Sequence, residues 1–215
     1  MLSFAEEIVL LLLDEAEGTF VPVPESVFGV VVVGAALMDL AIRNRVDADL
    51  EQLMVVDGTP LGDDILDDVL RRLGKPAGDL KITQAIYDTI PYVEDYKSRA
   101  LARLLAHGIL REENGRHLWV FRTRRYPVID NAEQHEVRAR LRQILLTDEI
   151  PDPRDIALIC LIDACHLLSF VLSPEEIEAA KSRVELLRKM DLIGQAVVKS
   201  ASEVQAIIRY AASSL

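Results

Sequence analysis

The chain has 215 residues, half of them apolar, and a net charge of −11 from 24 Lys/Arg and 35 Asp/Glu. That size and composition support one ordinary core, or two small ones, and exclude a disordered polyelectrolyte, while the negative charge argues against a general nucleic-acid coat. The longest uncharged apolar run, Ser26 to Met38, is too short to span a bilayer, and the acidic start at Glu6 and Glu7 lacks the basic segment of a signal peptide.

Ser3 followed by Glu6 is a capping-box pattern, and the apolar residues through Leu13 continue a helix that turns at Glu15 to Gly18. Phe20 to Val23 reads as extended because Pro22 and Pro24 interrupt it. Val27 to Ile42 is almost wholly apolar, and its length favours a helix buried on most sides over a strand. Arg43-Asn44-Arg45 closes it, with an Asn able to take positive φ. Val46 to Asp57 reads as one or two short strands. Gly62-Asp63-Asp64 opens a helix through Leu73, and Gly74 to Gly78 is a loop.

A short helix over Ile82 to Ile90 is expected to end at Pro91, and a strong helix follows from Tyr92 to His107, capped by Gly108. Ile109 to Arg111 begins a strand, Glu112-Glu113-Asn114-Gly115 carries the Asn-Gly turn signature, and Arg116 to Arg122 returns, giving a hairpin over about 109–122 with a polar tip. Asn131 to Leu146 is amphipathic. Pro153 to Leu172 reads as a second very apolar helix, with Asp163 and His166 spaced to pair on one face. Ser173-Pro174-Glu175-Glu176 starts another helix to about Lys189, and a last one runs from about Gly194 to Tyr210. The expected fold is mainly α and a single domain over 1–215, with buried apolar helices wrapped by amphipathic ones and one β-hairpin.

Cys160 and Cys165 are too few for a disulfide framework and read as buried thiols in a reducing compartment, so the chain is expected to be cytoplasmic. The acidic run Asp57, Asp63, Asp64, Asp67 and Asp68 fits no calcium-loop template and reads better as carboxylates at a helix N-terminus. His107, His117, His135 and His166 show no metal-ligand spacing. Cys165 and His166 are adjacent on a helix, where side chains diverge by about 100°, so they do not form a dyad. No phosphate loop, nucleophile elbow or dinucleotide fingerprint is present, and neither an enzyme nor a cofactor or metal is expected.

The charge is unevenly spread. Residues 1–96 hold 6 Lys/Arg against 19 Asp/Glu, whereas residues 97–142 hold 11 against 5. This basic middle is either a contact surface for something anionic or an internal counter-charge to the acidic first half. It carries a helix face with Lys97, Arg99 and Arg103, then Leu118, Trp119, Val120 and Phe121, then Arg122, Arg124 and Arg125. One reading is a winged helix on DNA. Another places the apolar hairpin residues at a bilayer interface with the arginines on anionic head groups. The third packs the hairpin on the core or on another subunit.

Several stretches together resemble the Golgi phosphoprotein 3-like peripheral membrane proteins. They are Glu6 to Asp14 with Glu17-Gly18, Leu37 to Arg45, Thr59 to Asp67, Leu104 to Leu110, Arg124-Arg125-Tyr126-Pro127, and Asp152-Pro153-Arg154 to Leu168. They occur in family order across nearly the whole chain, and without the long N-terminal tail of eukaryotic members the sequence resembles a bacterial, actinobacterial form. The resemblance implies a mainly α-helical domain, phosphoinositide head-group binding at a basic pocket, and an adjoining hairpin that touches the membrane or another subunit. In eukaryotic members that head group is phosphatidylinositol 4-phosphate. The pocket residues depart from the eukaryotic pattern: Pro24 and Val33 stand where it has Trp and Arg, and Glu94 and Lys97 where it has two further Arg.

The expectation is therefore a non-enzymatic peripheral membrane protein that meets an anionic phospholipid or phosphoinositide head group through Lys97, Arg99, Arg122, Arg124 and Arg125. Leu118, Trp119 and Phe121 would contact the membrane or a subunit. The alternative is a soluble homo-oligomeric interaction module whose hairpin forms the interface and whose specific pocket is lost. No nucleic-acid partner is expected.

Overall fold

Helix formation begins where the sequence provides its own cap. In the computed structural model, Ser3 accepts from the Glu6 N–H while the Glu6 carboxylate accepts from the Ser3 N–H, starting α1 (Phe4–Leu11). Residues 2–15, 17–49, 52–74, 80–117, 121–129 and 132–190 are described, with Gln195, Lys199, Glu203 and Ala206; over 114–117 and 121–124 the description is of the backbone alone.

The chain turns into α2 (Glu25–Ile42), which is buried without a break from Phe28 to Leu40. It packs against α1, α3 (Asp64–Leu73), α4 (Ile82–Thr89), α5 (Val93–Ala106) and α7 (Pro153–Ala164). With 18 residues and a mean hydropathy of 1.9, α2 is long and apolar enough by composition to cross a membrane, unlike the shorter uncharged run read from sequence, yet 72% of it is buried inside the fold. Each fully buried Val or Leu along it contributes about 1.5–3 kcal/mol of transfer free energy. The other helices are α6 (Ala132–Leu146) and α8 (Pro174–Arg188), making the described residues mainly α-helical. Between α2 and α4, β1 (Val46–Ala48), β2 (Gln52–Val55) and β3 (Leu80–Lys81) form a small antiparallel sheet. Farther on, β4 (Glu113–His117) and β5 (Phe121–Arg125) form a two-stranded ribbon.

Three helices end in the same motif. After α2, α5 and α7, a left-handed residue allows two carbonyls of the last turn to be satisfied. At α2 that residue is Asn44 (φ 55), as expected, with Asn44 N–H bonded to Ala41 O and Arg45 N–H to Leu40 O. At α5 it is Gly108 (φ 71), also as expected. At α7 it is His166 (φ 59), with Leu167 N–H donating to Ile162 O at 2.7 Å. The sequence marks that position with neither Gly nor Asn. The apolar stretch to Leu172 therefore does not continue as one helix: it turns at His166 and includes a 3-10 turn over Leu168–Phe170. Asp163 and His166 do not pair; Asp163 holds Arg188 from α8 at 2.7 Å, and His166 is exposed.

Pro91 ends α4 without opening a loop, because a 3-10 turn over Ile90–Tyr92 passes the chain directly into α5. The expected hairpin register is also corrected. Asn114 and Gly115 lie within β4, paired with Arg124 and Thr123, and His117 pairs with Phe121. The register is set at the ribbon's base, where Leu110 bridges Val128 and Ile129 N–H donates to Ile109 O. Ile109 and Leu110 are buried there, and the same register continues outward to His117 and Phe121, so this anchorage outweighs the local Asn-Gly preference. The strands are joined by residues 118–120, and the polar segment Glu112 to Arg116 is not the tip. Most of the expected Gly74–Gly78 loop and most of the last helix lie outside the described residues; Gln195, Lys199, Glu203 and Ala206 are helical.

Charge buried with α2 ties the layers together. Asp39 accepts from Phe4 N–H at 3.2 Å and from Arg43 Nε at 3.0 Å, and Arg154 lies 4.0 Å away. Arg154 also stacks on the Phe4 ring at 4.1 Å, donates to Leu2 O at 2.6 Å and approaches Glu7 at 3.5 Å. Arg140 bridges Glu7 (3.1 Å) and Asp155 (2.8 Å). Burial pushes the Glu7 carboxyl above its ordinary range, against the opposing pull of Arg154 and Arg140.

Removing one member of such a buried cluster strands its partners. Asp39→Ala is expected to cost about 3–5 kcal/mol in urea unfolding. Arg43→Ala, which removes a half-exposed partner, is expected to cost less than about 1 kcal/mol. Equal costs would contradict this description of the cluster.

Candidate functional site

Where their side chains are described, the cations in the basic middle of the chain are ion-paired. Of the eleven Lys and Arg between residues 97 and 142, eight have a carboxylate within ion-pair distance. They are Lys97, Arg99, Arg103, Arg111, Arg125, Arg138, Arg140 and Arg142. The other three, Arg116, Arg122 and Arg124, lie on the ribbon strands, where only the backbone is described.

On α5 the pairing is local and with α3. Lys97 Nζ is 3.3 Å from Glu94, and it stands 4.5 Å from the Phe20 ring centre and 5.0 Å from that of Phe28. This cation–π contact draws the ammonium against the α1–α2 connection. Arg99 holds Asp95 on its own helix and donates to Asp64 O at 2.7 Å. Arg103 grips Asp63 through both terminal nitrogens, at 2.9 and 2.7 Å, and also bonds Asp64. The acidic run thus has structural work at α3: Asp63 caps the helix through Ile65 and Leu66 N–H, Asp67 accepts from Leu61 and Gly62 N–H, and Asp68 accepts from Tyr96 Oη at 2.7 Å and Arg72 Nε at 2.7 Å.

Of the head-group residues expected from sequence, three have described side chains, and each of these has a carboxylate partner. Lys97 and Arg99 occupy α5 with internal carboxylate partners, and Arg125 sits at the ribbon's base, 3.4 Å from Glu17. Arg122 and Arg124 lie on β5, Phe121 is described by its backbone, and Leu118 and Trp119 lie outside the described residues. Alternation along the ladder places positions 114, 116, 122 and 124 on one face and 113, 115, 117, 121, 123 and 125 on the other. Arg122 and Arg124 thus share a face with Arg116, which the sequence reading did not single out because it put the turn beside that residue. None of the four positions on that face is acidic, and Arg116 is directly opposite Arg122. Like charges at directly paired positions destabilise a ladder unless an anion offsets them.

A family model described as Golgi phosphoprotein 3 (GPP34) matches residues 4–204. The chain belongs to the Golgi phosphoprotein 3 family. No curated protein matches it. In this GPP34 chain, the four positions expected at the family's head-group pocket are chemically unlike a phosphate site. Val33 is completely buried in α2. Pro24 lines a recess of about 380 Å³ with Pro22, Val27, His166, Leu167 and Phe170, and no Lys or Arg lines it. Lys97 is the remaining cation, and Glu94 already neutralises it. At the other wall of the recess, burial pushes the Cys165 thiol up to about 12, which keeps it protonated and a poor nucleophile at neutral pH.

The Asp63–Arg103 clamp yields a pH signature. Burial alone would raise the Asp63 carboxyl, but the Arg103 guanidinium and the Leu66 and Ile65 N–H groups outweigh it and hold it below the usual value. A depressed carboxyl stabilises the fold above the unfolded value of about 3.9, and this stabilisation is lost as pH falls through the lower folded value. At neutral pH, Asp63→Ala is expected to be less stable than Asp63→Asn by about 1 kcal/mol, because Asn still caps α3. The gap between wild type and Asp63→Asn is expected to shrink as denaturant titrations move below about pH 4. A gap independent of pH would contradict the clamp.

Proposed function

We propose that this GPP34-family chain is a cytoplasmic, non-enzymatic peripheral membrane protein that attaches to anionic phospholipid through the β4–β5 ribbon rather than through a specific phosphoinositide pocket. The observation that carries the reading is the ribbon register. It groups positions 116, 122 and 124, all arginine, on one face that carries no acidic position. Each such arginine near an anionic surface contributes about 1 kcal/mol, so three support reversible recruitment. The connecting residues Leu118, Trp119 and Val120 are of the kind that favours the interface between head groups and acyl chains. The acidic remainder restricts attraction to that oriented face.

A second reading takes its support from the neutralised Lys97 and Glu94: the chain is a soluble oligomeric module that has lost head-group binding, with the ribbon as its subunit interface.

Vesicle co-sedimentation with a salt series separates these readings. Wild type is expected to pellet with phosphatidylglycerol vesicles and to be released by salt. The double reversal Arg122→Glu/Arg124→Glu is expected to weaken pelleting by about tenfold or more, and Lys97→Glu/Arg99→Glu by less than about threefold. Equal pelleting on neutral and anionic vesicles would refute the lipid reading. An oligomer in light scattering that the ribbon reversal converts to monomer, without vesicle binding, would establish the second.

A further inference from the structure

The base of the ribbon meets the helical core at the turn between α1 and α2, and the contact there is unusually close. Gly18 has φ +62, and its carbonyl accepts from Tyr126 N–H at 2.6 Å. A Cβ on Gly18 would sit 2.7 Å from the Tyr126 carbonyl carbon and 2.8 Å from Pro127 Cα, and both are backbone atoms that cannot swing aside. Glycine is thus required twice, for its left-handed conformation and for the approach of a second chain segment. The turn is itself closed by Gly18 N–H on Asp14 O and Asp14 N–H on Thr19 O, each at 2.9 Å.

Charged residues just before Gly18 extend the contact. Glu17 faces Arg125 at 3.4 Å, and Glu15 binds Arg138 and, at 3.2 Å, His135 of α6. Gln134 donates to Leu10 O and Leu13 O at the end of α1, fixing the same turn from below. Arg125 belongs to the ribbon face opposite that of Arg116, Arg122 and Arg124. The Arg125–Glu17 contact therefore ties the end of one ribbon face to the residue before Gly18.

We propose that Gly18 and Glu17 are positioning residues, a seat that fixes the ribbon on the helical core so that the face carrying Arg116, Arg122 and Arg124 is the one offered to an anionic surface. This rests on the lipid reading above for its consequence, though not for its geometry. Neither residue touches the head group. The seat works by removing the ribbon's freedom to rotate about its base, so that the arginines approach the surface together.

The test uses the full chain as wild type, Gly18→Ala, Gly18→Asn and Glu17→Gln. Each is followed by residue-resolved hydrogen exchange, thermal unfolding, and binding to vesicles of phosphatidylcholine with phosphatidylglycerol. Both Gly18 variants are expected to speed exchange of the Tyr126 amide by about tenfold or more while amides of α2 keep their protection. Both are also expected to weaken vesicle binding by about threefold or more. Glu17→Gln, an exposed change that leaves the backbone intact, is expected to give the same pattern at smaller amplitude.

A Tyr126 amide as protected in both Gly18 variants as in wild type would overturn the seat. Full protection in Gly18→Asn alone, a residue that tolerates positive φ, would overturn the close-approach argument. An unprotected Tyr126 with unchanged vesicle binding would overturn the positioning role. Wild type that does not bind these vesicles would refute the lipid reading and with it the role of the seat in presenting a lipid-facing surface, while Tyr126 exchange would still judge the seat's geometry.

Discussion

An almost wholly apolar helix whose one buried carboxylate, Asp39, lies near its C-terminal end is the constraint on which the rest of this molecule depends. Desolvating Asp39 is costly unless donors are brought to it, and they come from three directions: the Phe4 backbone N–H, Arg43 of the following turn, and Arg154 of α7. Arg154 in turn reaches Glu7, and Arg140 links Glu7 to Asp155. The cluster therefore sets how α1, α2, α6 and α7 meet. The apolar faces provide the free energy of packing, and the charges restrict it to one arrangement.

A consequence is that the molecule consumes its own basic charge. Arginines from the positive middle of the chain serve as counter-ions for carboxylates elsewhere, Arg103 for Asp63 and Asp64, Arg138 for Glu15 and Arg140 for Glu7 and Asp155. Much of the positive charge read from the sequence is thus engaged within the fold. The ribbon register brings the arginine positions 116, 122 and 124 to one face, and the close contact at Gly18 holds that ribbon to the core.

Local signals were legible in the sequence and nonlocal ones were not. The Ser3–Glu6 and Ser173–Glu176 boxes, the left-handed Asn44 and Gly108, and the buried α2 each follow from a few adjacent residues. The ribbon register did not, because Asn114-Gly115 is a strong local turn signal that loses to Leu110 and Val128 docking at the base. The end of α7 was hidden because a His occupies the left-handed position. Which cations are already spoken for was hidden most deeply: Arg140 and Glu7 lie 133 residues apart, and Arg103 and Asp63 lie 40 apart. Spacing along the chain carries no information on such pairs until the helices are packed.

The proposed attachment to anionic lipid requires that the cations with internal partners and the cations offered to a surface be different residues. Residue-resolved labelling of arginine by a dicarbonyl reagent, read by mass spectrometry with and without anionic vesicles, measures this directly. Arg116, Arg122 and Arg124 should react readily in the free protein and become protected by vesicles. Arg103 and Arg140 should react slowly in both conditions. Vesicle protection at Arg99 and Arg103 with none on the ribbon would contradict the account.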